Sequence, residues 1–380
     1  MSRSFALLLV LAAITCLEAC PRSAGPGAGE GEGEGEGDGD GDGEGEGEGE
    51  SEGEGEGEGE GEGEGEGEGE GEGEGEGEGE GVVVVVPGAD VFGTPPHQVE
   101  QLTLAKATTG LAYDLDVWIP QTTGTYQAVV YFPGFGLAPA ESATMLEHAA
   151  GHGVVVVGVV LESGVCIGFL GCTGNYPAQP KKATTSDEAA LMPAILAYAR
   201  AGLGDDLAAA VPGVAVADAA PVIAAHSRGG KLSWRVLLAN VQAARGLALI
   251  DPVDAPPPSN SGITDPNAVN GALAFTGPTV ILGTGKGPTG GQPCAPTADG
   301  HARFADALSA TVHVVEAAAG HNDLLNSPPP FVCANGPNPA VFRIVAGGLI
   351  TATVREALGE RGAIATAVAS APSGITLEVQ

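Results

Sequence analysis

The stretch Val222-Ile-Ala-Ala-His-Ser-Arg-Gly-Gly-Lys231 decides the fold. Its first four residues predict a short buried strand and the residues from Arg228 onward predict a helix, so Ser227 stands at a sharp turn between the two. A serine at such a turn has a strained backbone and requires small residues two positions before and after it, which Ala225 and Gly229 provide. We therefore expect the Ser227 hydroxyl to be a nucleophile near the helix N-terminus; the alternative is a serine that merely caps the helix.

Apolar, β-branched runs alternate with helical segments on both sides of this turn. Continuous apolar strands are covered on both faces, which predicts a mostly parallel sheet flanked by crossover helices. An alternating pattern from Glu100 to Ile119 predicts an antiparallel hairpin before that series, as is typical of the α/β-hydrolase fold. The predicted strands are Ala128–Phe132, Val154–Leu161, Val222–Ala225, Leu247–Ile250, Thr279–Leu282 and Val312–Glu316. The predicted helices are Ala140–Ala150, Thr185–Arg200 (opened by the capping-box spacing Thr185-Ser-Asp-Glu188), Arg228–Ala243, Ala302–Leu308 and Ala340–Leu358.

A serine nucleophile needs a base, and in this fold the chain order is serine, acid, histidine. Four of the seven histidines, among them His226, precede Ser227 and do not fit that order. His321 follows the last predicted strand in a loop at the carboxyl edge of the sheet, whereas His313 lies inside that strand and His301 begins a helix. We therefore expect His321 to be the base.

The acid that orients this base is expected at the same edge of the sheet. Asp251 directly follows strand Leu247–Ile250 and is the favoured residue, with Asp254 and Asp299 as alternatives. Asp323, two residues after His321, is expected to stabilise its own loop instead.

An oxyanion requires two backbone N–H donors. One is expected from Arg228, the residue after the nucleophile. The other is expected from Phe135 in the loop Phe132-Pro-Gly-Phe-Gly136 after the first parallel strand. This chemistry requires neither a metal nor an organic cofactor.

Residues 1–20 have the pattern of an export signal, with a short basic start and an apolar run from Phe5 to Ile14. Leu17-Glu-Ala-Cys20 resembles a bacterial lipoprotein box, so we expect lipidation of Cys20, with Cys16 as a weaker alternative and plain secretion as the alternative fate. The expected location is the cell envelope, through a lipid anchor in the outer membrane.

Residues 21–81 are predicted to be a disordered linker, because Gly alternates with Glu or Asp and leaves no apolar surface to bury. This leaves residues 82–380 as one catalytic domain. The net charge of −34 argues against nucleic acid as a partner and against adsorption to anionic lipid by charge. We expect a monomer whose partner is a small apolar substrate.

Four cysteines follow the leader, and an even number in an exported domain predicts two disulfides, Cys166–Cys172 and Cys294–Cys333. No C-x-x-C pair or paired histidine accompanies them, so no metal site is expected.

Several segments together resemble the chlorophyllase family of α/β-hydrolases over roughly residues 100–358: His148–Gly153, His226–Lys231, Asp251–Asp254, Pro293–Pro296 and Gly320–Leu325. The resemblance implies Ser227, Asp251 and His321 as a triad that hydrolyses a carboxylic ester, the named activity being cleavage of chlorophyll to chlorophyllide and phytol. Pro133 departs from the family, which usually has His before this Gly. The alternatives are a lipid or polyester hydrolase on the same triad, or a non-catalytic surface-binding module on a hydrolase fold.

Overall fold

A computed structural model describes residues 90–162, 182–257, 261–289, 293–309, 311–328 and 333–380. The predicted export signal, the Gly/Glu linker, Cys20 and the predicted Cys166–Cys172 disulfide lie outside these residues.

The described residues form an α/β-hydrolase fold around a ten-stranded, mostly parallel sheet. The strands are β1 (Val99–Leu104), β2 (Leu115–Pro120), β3 (Gly124–Phe132), β4 (Val154–Val159), β5 (Val214–Val216), β6 (Val222–His226), β7 (Gly246–Ile250), β8 (Thr279–Thr284), β9 (Val312–Glu316) and β10 (Leu377–Val379). They lie in the order β1-β2-β4-β3-β6-β7-β8-β9-β10, with β5 paired to β3. Strands β1, β2 and β10 pair antiparallel, and the strands between β4 and β9 pair parallel.

Helices cover both faces of this sheet. They are α1 (Lys106–Thr109), α2 (Ala143–Gly151), α3 (Thr185–Ala189), α4 (Met192–Ala201), α5 (Leu203–Ala210), α6 (Arg228–Ala239), α7 (His301–Asp306), α8 (Pro339–Ala357) and α9 (Ala363–Ala369), with short 3₁₀ turns at Pro139–Ser142 and Val241–Ala243. Helices α4 to α7 pack on one side and α2, α8 and α9 on the other. In β4, Val155 and Val157 face the first set while Val154 and Val156 face the second, which explains the unbroken apolar run.

All six strands predicted from apolar runs are present, with ends that differ by up to four residues. The predicted hairpin is present as β1 and β2, which pair from Val99–Pro120 to Leu104–Leu115. The sequence does not predict helices α1, α5 and α9 or strands β5 and β10. Strand β10 adds to the edge of β9, so Val312–Glu316 is not the last strand in the chain.

The helix predicted over Thr185–Arg200 is wrong in two respects. It breaks between Ala189 and Met192, where Pro193 follows and cannot donate a helical hydrogen bond. Its capping box lies one residue earlier than predicted: the Thr184 side chain accepts from the Asp187 amide, and Asp187 accepts from Thr184 in return. Thr185 and Glu188 are instead fully buried.

Candidate active site

Ser227 lies at the turn between β6 and α6 with φ 54° and ψ −125°. Among the described residues, Ser227 and Asp251 are the two non-glycine residues with positive φ. The strained turn is held on both sides, because the Ser227 amide donates to Ile250 O at 3.3 Å and its carbonyl accepts from Val253 N at 3.0 Å. The backbone strain predicted for this serine is therefore present, and its side chain makes no capping hydrogen bond to the helix.

The Ser227 hydroxyl meets the predicted base and acid in one chain of hydrogen bonds. Its Oγ lies 2.9 Å from His321 Nε2, and His321 Nδ1 lies 2.7 Å from Asp251 Oδ2. Asp251 and Ser227 lie 70 and 94 positions before His321 in the chain. Parallel pairing of β6, β7, β8 and β9 brings the strand ends that precede these residues to one edge of the sheet. This geometry allows a proton to pass from the hydroxyl to Nε2 while the carboxylate holds Nδ1–H.

Asp251 is fully buried and is held by hydrogen-bond donors from the end of β8. Thr284 N donates to Oδ1 at 3.0 Å and Thr284 Oγ1 donates to Oδ2 at 2.7 Å. Burial alone would raise the pKa of Asp251, but the hydrogen bond and positive charge of His321, together with the Thr284 hydroxyl, hold this pKa below its ordinary value. Asp251 therefore stays ionised at neutral pH beside the imidazole.

The two alternative acids make other contacts. Asp254 accepts from the amides of Ala268 (2.7 Å) and Val269 (3.1 Å) and lies 3.1 Å from Arg303. Asp299 accepts from Asn267 Nδ2 at 2.6 Å. These two carboxylates therefore hold loops together and are bonded to groups other than His321.

The loop of His321 is fastened at several points. Asp323 accepts from the amides of Gly320 and Gly336, each at 2.8 Å, which is the loop-stabilising role predicted for it. The predicted Cys294–Cys333 disulfide is present, with a Cα–Cα distance of 5.7 Å. Asn322, next to His321, donates to Cys333 Sγ at 3.1 Å. The disulfide thus connects the loop after β8 to the loop of His321.

The predicted oxyanion loop lies directly against Ser227. A Cβ on Gly134 would approach Ser227 Cβ to 3.2 Å, and a Cβ on Gly229 would lie 2.1 Å from Phe132 O and 2.8 Å from Pro133 O. The first turn of α6 therefore touches the loop backbone, and only glycine leaves room for that approach. The Arg228 guanidinium lies 5.8 Å above the Phe135 ring, so the two residues predicted to supply donors are neighbours.

The cations after the serine form a buried ionic cluster on one face of α6. Arg228 Nη1 donates to Glu188, and Lys231 Nζ lies 3.7 Å from Asp265 Oδ2 while donating to Asp265 O at 2.8 Å. Thr185 Oγ1 donates to Asp265 Oδ1 at 2.8 Å. This cluster fastens α3 and the 261–269 segment to helix α6, which begins directly after Ser227, and this gives the Arg-Gly-Gly-Lys motif a structural reason.

Three residues around the site were not identified from the sequence: Thr284, Asp265 and His226. Thr284 is the last residue of β8, which pairs with β7, the strand that precedes Asp251. The predicted order of parallel strands could have indicated this position. Asp265 lies in an irregular segment with no pattern to mark it. His226 was set aside because it precedes the serine, yet it is fully buried in contact with the base.

Over the described ranges, no cluster of three or more His, Cys, Asp or Glu side chains is arranged to hold a metal ion. None of the helices in that part of the chain is both long and apolar enough to cross a bilayer.

The model of the Chlorophyllase family matches residues 88–379. The chain belongs to the chlorophyllase family. Chlorophyllase-1 of Arabidopsis thaliana is 29% identical over 270 residues, which cover 64% of this chain and 76% of the plant protein. The family match includes every described strand and helix, and membership of the chlorophyllase family supports an ester hydrolase as the class of this protein.

Proposed function

We propose that this chlorophyllase-family protein is a serine carboxylic-ester hydrolase in which Ser227, His321 and Asp251 act as nucleophile, base and acid. The observation that carries the proposal is the continuous hydrogen-bond chain of 2.9 Å and 2.7 Å from the Ser227 hydroxyl through His321 to the buried Asp251 carboxylate. The strained φ of Ser227 supports the same role, because strain of this kind persists where function needs it.

The proposed reaction has two steps. His321 Nε2 takes the proton of Ser227 as Oγ bonds to the ester carbonyl carbon, and Asp251 stabilises the imidazolium through Nδ1–H. The main-chain amides of Phe135 and Arg228 donate to the carbonyl oxygen as it becomes an anion. His321 then protonates the departing alcohol as the C–O bond breaks, and a water repeats the sequence on the acyl-enzyme to release the acid.

The proposed substrate is an apolar ester, with a chlorophyll-type phytyl ester as the first candidate because the family and the relative are named for chlorophyllase activity. The assay is an ester panel that compares chlorophyll with chromogenic esters of increasing acyl length, with lipid esters and with a polyester. A preference for lipid or polyester substrates would retain the mechanism and replace the substrate.

The test of the mechanism is labelling with a fluorophosphonate, which bonds covalently to an activated serine. Wild type should be labelled and Ser227→Ala should not. Asp251→Asn should lower kcat by roughly 10⁴-fold, because it holds the imidazole in the wrong tautomer. Folded Asp254→Asn and Asp299→Asn are the matched controls and should be labelled at the wild-type rate.

Absence of labelling in folded wild type would leave a binding module on a hydrolase fold and end the proposal. Loss of activity in Asp299→Asn with retention in Asp251→Asn would assign the acid differently.

We further propose that the chain acts as an exported monomer anchored through lipidated Cys20, with residues 21–81 as the spacer between anchor and domain. Incorporation of an alkyne fatty acid in a bacterial host should label the full chain and not Cys20→Ala. Labelling that survives Cys20→Ala would point to Cys16.

A further inference from the structure

His226 directly precedes the nucleophile at the last position of β6, paired with Ile250 at the end of β7. Its side chain is completely buried. The proposed mechanism uses no proton or charge of this imidazole, so its presence beside the reacting groups requires another explanation.

The Nε2 atom of His226 forms a hydrogen bond to the main chain of His321. His226 Nε2 lies 3.1 Å from the main-chain oxygen of His321. A carbonyl oxygen can only accept, so Nε2 carries the hydrogen and Nδ1 is left with a lone pair. The two rings also pack together, with centroids 4.6 Å apart and planes tilted by 38°. His226 therefore contacts both the main chain and the side chain of His321.

The other nitrogen faces the oxyanion loop. Among the residues that the structure describes, no hydrogen-bond donor reaches the buried Nδ1 of His226. A Cβ built on Gly134 would lie 3.0 Å from this nitrogen, which places the ring edge against that loop. The His226 imidazole thus contacts both His321 and the loop expected to bind the oxyanion.

His226 is also suited to remain uncharged. Burial, and then the positive charge that His321 can carry, lower the pKa of His226 well below the ordinary histidine value. A second imidazolium at this distance would repel the one that forms on His321 during catalysis.

We propose that His226 is a positioning residue, whose Nε2–H donates to the His321 main-chain oxygen and so holds the base in place relative to Ser227 and the Gly134 loop. The proposal rests on the proposed function, because it assigns a role relative to the Ser227–His321 pair. It predicts that a side chain with a donor at the Nε2 position can substitute for His226, whereas an apolar ring of similar shape cannot.

The experiment compares His226→Gln with His226→Phe. The glutamine amide can place an N–H near the Nε2 position, whereas phenylalanine keeps the ring packing and removes the donor. In His226→Phe we expect kcat and the fluorophosphonate labelling rate to fall by about tenfold or more, with KM within about twofold, since the lost hydrogen bond orders a reacting group. In His226→Gln most of the rate should return. His226→Leu serves as the apolar variant if the phenylalanine variant does not fold.

A proton NMR signal separates positioning from simple packing. The Nδ1–H of His321, bonded to Asp251, should give a strongly downfield resonance in wild type and His226→Gln. It should be broadened or lost in folded His226→Phe, where the imidazole has more freedom.

Labelling and a downfield signal at wild-type levels in the phenylalanine variant would overturn the positioning role. An equal loss in the glutamine and phenylalanine variants would also overturn it, because the donor would then not matter. Failure of wild type itself to be labelled would instead reject the proposed function.

Discussion

Replacement of Gly229 by alanine tests the contact between the nucleophile's helix and the oxyanion loop. On helix propensity alone, the change should stabilise α6 by about 1 kcal/mol. The added Cβ, however, would lie 2.1 Å from Phe132 O, and ordinary contact begins near 3.4 Å. Phe132 O is a main-chain atom and the helix backbone sets the position of the Cβ, so the helix turn and the loop must separate by about 1.3 Å.

A displacement of this size moves the loop that carries Phe135 relative to Ser227. Misplacement of a reacting group by about 1 Å can cost roughly 100-fold in rate, and we expect a fall of that order in kcat and in fluorophosphonate labelling for Gly229→Ala. KM should change less, because an interaction with the oxyanion is made mainly in the transition state and not on substrate binding. Circular dichroism would verify that the variant is folded.

The matched control is Gly204→Ala in α5, where the nearest atom to an added Cβ is Val216 N at 3.9 Å. It should keep the wild-type labelling rate, with Tm unchanged or raised by a few degrees. If folded Gly229→Ala reacts within about threefold of wild type, the helix and the loop do not abut as described and the argument fails.

Two further perturbations address the acid and the stability of the fold. Thr284→Val should lower kcat by roughly 10- to 150-fold, since a hydrogen bond to a charged group contributes about 1.5–3 kcal/mol. Thr279→Val on the same strand loses a hydrogen bond to Gly277 O, which lies outside the strand, and should keep the wild-type kcat. Equal rates in the two variants would contradict the role of Thr284. The second perturbation concerns His152, whose pKa is lowered from 6.5 to about 4 by burial and then by the charge of His148. Between pH 6.5 and pH 4 the unfolded chain therefore binds a proton at this residue that the folded chain does not. On account of His152, the free energy of unfolding should therefore fall by about 1.4 kcal/mol for each pH unit as the pH is lowered from 6.5 to 4. Chemical denaturation at several pH values should show that His152→Phe lacks this part of the pH dependence. The same pH dependence in wild type and variant would show that His152 is not buried in the neutral form.

Much of the fold could be predicted because each strand carries its own signal. The valine run of β4 is apolar on both faces, and the parallel sheet follows from that pattern. Prediction failed where the signal was short or local. Strand β10 is three residues long and forms only because β9 offers it an open edge. The capping box at Thr184 was misplaced because two adjacent threonines each have an acid three residues later, and burial of Thr185 against Asp265 selects between them.

At the candidate site, the strand–turn–helix pattern predicted the nucleophile, and the order of residues along the chain predicted the base, because strand ends in a parallel sheet converge on one edge. The acid remained open among Asp251, Asp254 and Asp299. Tertiary contacts separate these residues: Asp254 accepts two loop amides, and only Asp251 among the three is paired with His321.

The sequence by itself therefore determined the sheet, the strained serine turn and the family, because these depend on local periodicity and on side chains a few positions apart. Only the tertiary structure decided which carboxylate meets the imidazole and that His226 touches both the base and the Gly134 loop. The physical reason is that hydrogen bonds act over about 3 Å between groups that are up to 95 residues apart along the chain. Such contacts exist only after the strands have paired, and no periodic pattern in the chain encodes them.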